Sequence, residues 1–162
     1  MRHASIPSGS GFTLIELVVT LAVLGVLASA VLPVAQIQIQ RRRESELRAD
    51  LREIRSAIDA YKVAGDSGRF LRPAQGTGYP PTLQVLVDGV EDAHDPQKGK
   101  IFFLRRIPRD PMNSDPRVGD EESWQERSYA SEPDSPEAGD DVYDVMSKSS
   151  RIGLNGIPYS RW

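Results

Sequence analysis

A single carboxylate, Glu16, interrupts an otherwise uncharged stretch. No other charged residue occurs from Phe12 to Gln40. About 20 consecutive apolar residues suffice to cross the hydrocarbon core of a bilayer as a helix. In lipid a lone segment can satisfy its backbone N–H and C=O groups only by forming that helix. An acid at membrane depth costs about 2.5–3.5 kcal/mol on insertion scales, so Glu16 is expected to have a partner. Cleavage between Gly11 and Phe12 would create one. The new α-amino group would have a pKa of about 7.7–8.0 and carry positive charge one helical turn from Glu16. Neighbouring opposite charges in low dielectric offset each other's desolvation.

Two other readings of the run compete with this one. Ala28-Ser29-Ala30 has the A-x-A form of a secretory cleavage site, yet the run continues past it and Glu16 would fall inside the apolar core of such a signal. An ordinary anchor needs no explanation for Glu16, and its orientation would follow the basic flanks. Arg2 stands alone before the run and Arg41, Arg42 and Arg43 follow it, which by that rule alone places the C-terminal part in the cytoplasm.

Beyond the run, Leu47, Leu51, Ile54, Ile58 and Tyr61 recur at spacings of four and three, a narrow apolar stripe on a charged helix. Glu44–Arg48 and Arg55–Asp59 are spaced as i,i+4 pairs, Asp50 is expected to face water, and Gly65 is the expected stop. One helix from Phe12 to about Ala64 would be about 80 Å long, with Pro33 as a site of kinking or loosening. Such a rod requires lipid or other copies of itself around its first half. Pro81 suits the start of a short second helix carrying Leu83, Leu86, Val87 and Val90, ended by Gly89. Ile101 to Leu104 is a buried run of open type, and Ile107 to Pro111 is a turn. Arg127–Ser131 and Val142–Ser147 read as an antiparallel strand pair joined by an acidic connection. Trp124, Tyr159 and Trp162 are expected to cover the core. The fold class is therefore α+β: a long N-terminal helix packed against a short helix and a small antiparallel sheet. Residues 1–11 form a leader, 12–35 a transmembrane and assembly helix, and 36–162 a globular domain.

Gly11-Phe12-Thr13-Leu14-Ile15-Glu16-Leu17 followed by an apolar run resembles the N-terminal signal of type IV pilins and type II secretion pseudopilins. Tyr79-Pro80-Pro81-Thr82-Leu83-Gln84-Val85-Leu86-Val87 and Arg105-Arg106-Ile107-Pro108-Arg109-Asp110-Pro111, with the strand pair and C-terminal loop, are similar to the major, G-type pseudopilins. The resemblance implies a type IV pilin-like fold and cleavage after Gly11 by a prepilin peptidase, with N-methylation of Phe12. It assigns Glu16 to assembly, by pairing with the terminal amine of a neighbouring subunit. It further implies an inner-membrane anchor, a periplasmic C-terminal domain and a filament of identical copies. An assembly platform and minor pseudopilins would be the other partners. The alternative within the superfamily is a minor type IV pilin that binds a surface or ligand.

Other chemistry has little support. The only histidines are His3 and His94, and the absence of cysteine removes thiolate sites. No phosphate cradle or HExxH spacing occurs, so the expectation is a non-enzyme. A net charge of −3 gives no support for nucleic-acid binding. Acids outnumber bases about two to one from Glu91 to Asp144, while Arg41–Lys62 leans basic, so one end of the domain could attract the other end of a neighbouring copy. The resemblance implies calcium in the C-terminal loop, held by aspartates after the last strand. This chain departs there, because Lys148 to Trp162 contains no acid. Asp140, Asp141 and Asp144 remain as weak candidate ligands, and no cofactor is expected, with calcium the one possible exception.

Overall fold

The computed structural model describes residues 11–72 and 76–162. The leader residues before Gly11 lie outside them. Two compact units divide the chain, Met1–Gln40 and Arg41–Trp162.

Helix α1 (Leu14–Asp66) supplies the described helix of the first unit and the backbone of the second. Thr13 starts it as an N-cap, its Oγ1 accepting the Glu16 N–H at 3.3 Å while its carbonyl accepts the Leu17 N–H at 3.2 Å. Thr13-x-x-Glu16 is thus the sequence of a capping box. Pro33 does not end the helix. In the apolar part, the Thr20 and Ser29 hydroxyls donate to the Leu17 and Val26 carbonyls at 2.9 and 2.7 Å, which satisfies them without water. The stop falls beyond Gly65. Gly68 has φ +75°, its N–H reaches the Gly65 carbonyl at 3.1 Å, and the Arg69 N–H reaches the Ala64 carbonyl at 3.0 Å. That bond pair is a Schellman motif, which needs the left-handed residue at Gly68.

In the second unit the α1 stripe is buried as expected: Leu47, Leu51, Ile54, Ile58 and Tyr61 all lie in the core. They pack with Leu83, Leu86, Leu104, Ile107, Trp124, Val142, Val145 and Tyr159. Each fully buried aliphatic side chain contributes about 1.5–3 kcal/mol. Helix α2 (Gln84–Asp88) is a short element that buries Leu86. Gly89, at φ +72°, turns the chain into β1 (Val90–Glu91), which pairs antiparallel with β2 (Lys100–Ile101). A Cβ at Gly89 would meet the Ile101 carbonyl oxygen at 2.8 Å, so the pairing itself requires glycine. Of the run 101–104, Leu104 is core while Phe102 is exposed.

The second sheet pairs β3 (Trp124–Arg127) with β4 (Asp144–Ser147), in register Trp124↔Ser147 through Arg127↔Asp144. The strand expected at Arg127–Ser131 therefore begins three residues earlier. Trp124 decides the register: it is 2 % exposed and donates its Nε1–H to the Pro108 carbonyl at 2.7 Å. It sits within a strand of the core rather than above it. The architecture is α+β, with a long helix packed on small antiparallel sheets.

Candidate functional site

The first candidate site is the start of α1. Gly11 and Phe12 precede the helix in non-helical backbone, Phe12 is 80 % exposed, and Glu16 occupies the first helical turn. The Gly11–Phe12 peptide bond lies outside the hydrogen-bonded turns of α1. The helix dipole favours negative charge at this end, by about 0.3–1 kcal/mol at exposed sites. Apolar side chains that follow, among them Leu14, Ile15, Leu17, Leu21, Leu24 and Leu27, are exposed. By length and composition α1 can cross a membrane.

The C-terminal loop forms the other candidate site, where α1 meets the tail through charged groups as well as through its apolar stripe. Glu44 lies one turn before Leu47 on the same face and is 3 % exposed. Its Oε1 accepts the Leu154 N–H at 2.8 Å and the Tyr159 O–H at 2.9 Å, while Arg48 stands 3.9 Å from Oε2. Arg55 donates from Nε to Asp144 Oδ1 at 2.7 Å and from Nη2 to the Val145 and Trp162 main-chain oxygens at 3.1 and 2.8 Å. Its partner is thus Asp144 across the fold and not Asp59 along the helix. Arg48 lies over the Trp162 ring at 4.1 Å, and Tyr159 and Trp162 meet edge to face at 5.1 Å. A Cβ on Gly153 would meet the Trp162 ring at 2.6 Å, so the loop closes only around glycine.

Two further acids were not legible as buried. Asp110 is fully buried, accepts from the Ser147 hydroxyl at 2.6 Å and the Met112 N–H at 2.8 Å, and thereby ties the turn at Pro108–Pro111 to β4. Burial pushes its carboxyl above the usual range against those two hydrogen bonds. Asp50 does not simply face water. It is half-buried, and its pKa is raised to about 6 by burial and then by Glu46, Glu53 and Asp110, with Arg106 opposing.

Comparison with known proteins decides the family. The prokaryotic N-terminal methylation motif matches residues 8–32. The type II secretion system core protein G of Klebsiella pneumoniae is 32 % identical over 135 residues, 82 % of this chain and 91 % of the relative. The chain belongs to the type II secretion system core protein G family. The core protein G of Klebsiella michiganensis is 32 % identical over 112 residues, 67 % of this chain and 71 % of that protein. That of Aeromonas hydrophila is 31 % identical over 106 residues, 65 % and 68 %. No solved structure gives a significant match. This chain is a pseudopilin of type II secretion, a member of a structural family whose apolar N-terminal helix serves as a membrane anchor.

The calcium ion implied by the resemblance does not fit the residues of this pseudopilin. Asp144 is engaged by Arg55, and Asp141 accepts from the Thr77 hydroxyl and from the Tyr129 N–H at 2.9 Å. Asp140 is exposed. Among the described residues, no group of three or more Asp, Glu, His or Cys converges on one point. Asp141 and Asp144 are engaged by protein donors, which leaves the three aspartates short of the roughly six to eight oxygens a calcium ion takes.

Proposed function

We propose that the chain is cut between Gly11 and Phe12 by a prepilin peptidase and N-methylated on Phe12. The mature subunit then polymerises from the inner membrane into a periplasmic filament that acts in protein export. In this reading Glu16 neutralises the Phe12 amine of a neighbouring copy during assembly. The observation that carries it is the lone carboxylate one turn after the cut, at the start of an apolar helix whose side chains from Leu14 to Leu27 are uncovered. The subunit works as a structural element, with no reaction of its own. Its partners are further copies, the peptidase, minor pseudopilins and the inner-membrane assembly platform. The C-terminal loop is held by Glu44, Arg55 and the packing of Tyr159 and Trp162, without a metal ion.

Intact-mass spectrometry of the protein from membranes tests the processing step. The expected mass is that of a chain beginning at Phe12 and carrying one methyl group. An uncut Met1, or a chain beginning at Val31 as a secretory cleavage would give, overturns the assignment.

A further inference from the structure

Two oppositely charged surfaces on the second unit carry exposed charged groups that take no part in the cut or in the contacts that hold the C-terminal loop. The first is a groove of about 320 Å³. Arg48, Arg52 and Arg55, spaced four and three apart on α1, and Arg161 from the short 3-10 turn Tyr159–Arg161 surround it, with Trp162 and Ile157 among its lining residues. Arg55 is held by Asp144, and Arg48 lies over Trp162. Among the described residues Arg52 and Arg161 have no ion pair, and both are exposed.

The other surface is the connection between β3 and β4. No Lys or Arg occurs between Arg127 and Lys148. Glu132, Asp134, Glu137 and Asp140 are exposed and have no ion pair among the described residues. The connection is nevertheless ordered. The Ser128 N–H reaches the Glu137 carbonyl at 2.9 Å, and the Ser135 N–H reaches the Glu132 carbonyl at 3.2 Å. Pro133 and Pro136 restrict the backbone further. Carboxylates displayed on a pre-ordered turn lose less conformational freedom on docking.

Within one copy the two surfaces do not pair, although guanidinium and carboxylate match as bidentate partners. We propose that the acidic turn at Glu132–Asp140 of one copy docks into the arginine groove of a second copy. Complementary patches at different places on the same unit make a head-to-tail contact, and such a contact propagates as an open helix unless its rotation closes a ring. The interface deepens the polymerisation reading above and rests on it. Charge complementarity selects the second copy as occupant. Each copy that brings one groove also brings one acidic turn, so the two surfaces occur in equal number along an assembly.

The absence of native cysteine makes the test direct. Full-length Arg52→Cys and Asp134→Cys chains with different tags are co-expressed in membranes and oxidised. The expected result is a mixed-tag disulfide dimer in larger yield than either same-tag dimer. In parallel, the Arg52→Glu/Arg161→Glu variant should lose filaments at least tenfold while its thermal melt stays cooperative, and adding Asp134→Arg/Glu137→Arg should restore them. Wild-type filaments without the mixed cross-link, or without rescue by the second charge reversal, overturn the interface and leave the polymerisation reading standing. Absence of wild-type filaments overturns that reading, and the interface falls with it. Loss of binding to phosphatidylglycerol vesicles in the arginine variant, with no cross-link formed, assigns the groove to anionic lipid and overturns the proposal.

Discussion

Two stretches of α1 present opposite solutions to the placing of a carboxylate. Glu16 stands in the first turn among exposed apolar side chains, with the Thr13 hydroxyl contact made by its own N–H. Glu44 is buried and receives two donors from the C-terminal loop, both more than a hundred residues away in sequence. Glu16 is readable as an anomaly because its neighbours in sequence are its surroundings. Glu44 reads as one more charge on a charged helix, and only the folded chain shows what it holds. Local sequence therefore reports on the part of the helix whose neighbours come from outside the globular unit. Tertiary structure is needed wherever the chain supplies its own neighbours.

The largest effect expected from this contrast is at Glu16. In the proposed role the carboxylate is needed when a second subunit arrives, and not for insertion or cutting. Glu16→Val should leave membrane extraction behaviour and the mature mass unchanged apart from the substitution itself, and filaments recovered by shearing should fall to background. Removing an acid from an apolar helix makes insertion easier, not harder, so loss of filaments cannot be blamed on a failed anchor. Normal filament yield from this variant would show that the carboxylate is dispensable.

Glu44 should behave in the reverse way, acting on stability before assembly. Glu44→Ala leaves the buried Tyr159 hydroxyl and the Leu154 N–H without their acceptor. Hydrogen bonds to a charged group contribute about 1.5–3 kcal/mol each, so a loss of about 3 kcal/mol is expected. That is a fall in Tm of roughly 10 °C for a domain of this size. The same melts of the detergent-solubilised chain, repeated in excess calcium and in chelator, should coincide. A ligand at 100 times its Kd would add about 2.7 kcal/mol and raise Tm by several degrees. A calcium-dependent rise in the wild type would mean that Asp140, Asp141 and Asp144 regroup around an ion and that the Arg55–Asp144 pair gives way to it. An unchanged Tm in Glu44→Ala would show that Arg55 and the packing of Tyr159 and Trp162 close the loop without Glu44.

Most of the fold follows from patterns read within one helix turn or one strand. The stripe from Leu47 to Tyr61, the turn at Gly89 and the apolar first half of α1 all belong to this class. Three departures come from bonds that the local pattern does not display. The Schellman bonds moved the stop from Gly65 to Gly68, where the αL residue is needed. The burial of Trp124 under Pro108 drew β3 three residues toward the N-terminus. Arg55 found Asp144 and two main-chain oxygens in place of Asp59, because three fixed acceptors hold a guanidinium better than one flexible side chain on the same helix face. A signal for Glu44 did exist: it continues the stripe one turn ahead of Leu47, and an acid on an apolar face calls for a donor.

Asp50 gives the smallest effect and the one whose sign is least intuitive. Its pKa in the folded chain is raised to about 6 from an ordinary value of 3.8, first by burial and then by the carboxylates of Glu46, Glu53 and Asp110. The folded state therefore binds the proton more tightly than the unfolded chain does. Stability linked to Asp50 is fully present below the unfolded value, is lost as pH rises from about 4 to about 6, and stays lost above that. At neutral pH the ionised group works against the fold. Asp50→Asn removes the charge and keeps the shape, so the variant should melt slightly higher than wild type at pH 7 and no higher at pH 4. The comparison must use the difference between the two proteins at each pH, because Asp110 is raised in the same sense and contributes its own slope to both. Arg106 lowers the Asp50 pKa, so Arg106→Gln should enlarge the effect of Asp50→Asn. A variant that melts lower than wild type at pH 7 would mean that Asp50 is stabilised as an anion, and that α1 tolerates its acids by pairing them with arginine rather than by partly protonating them.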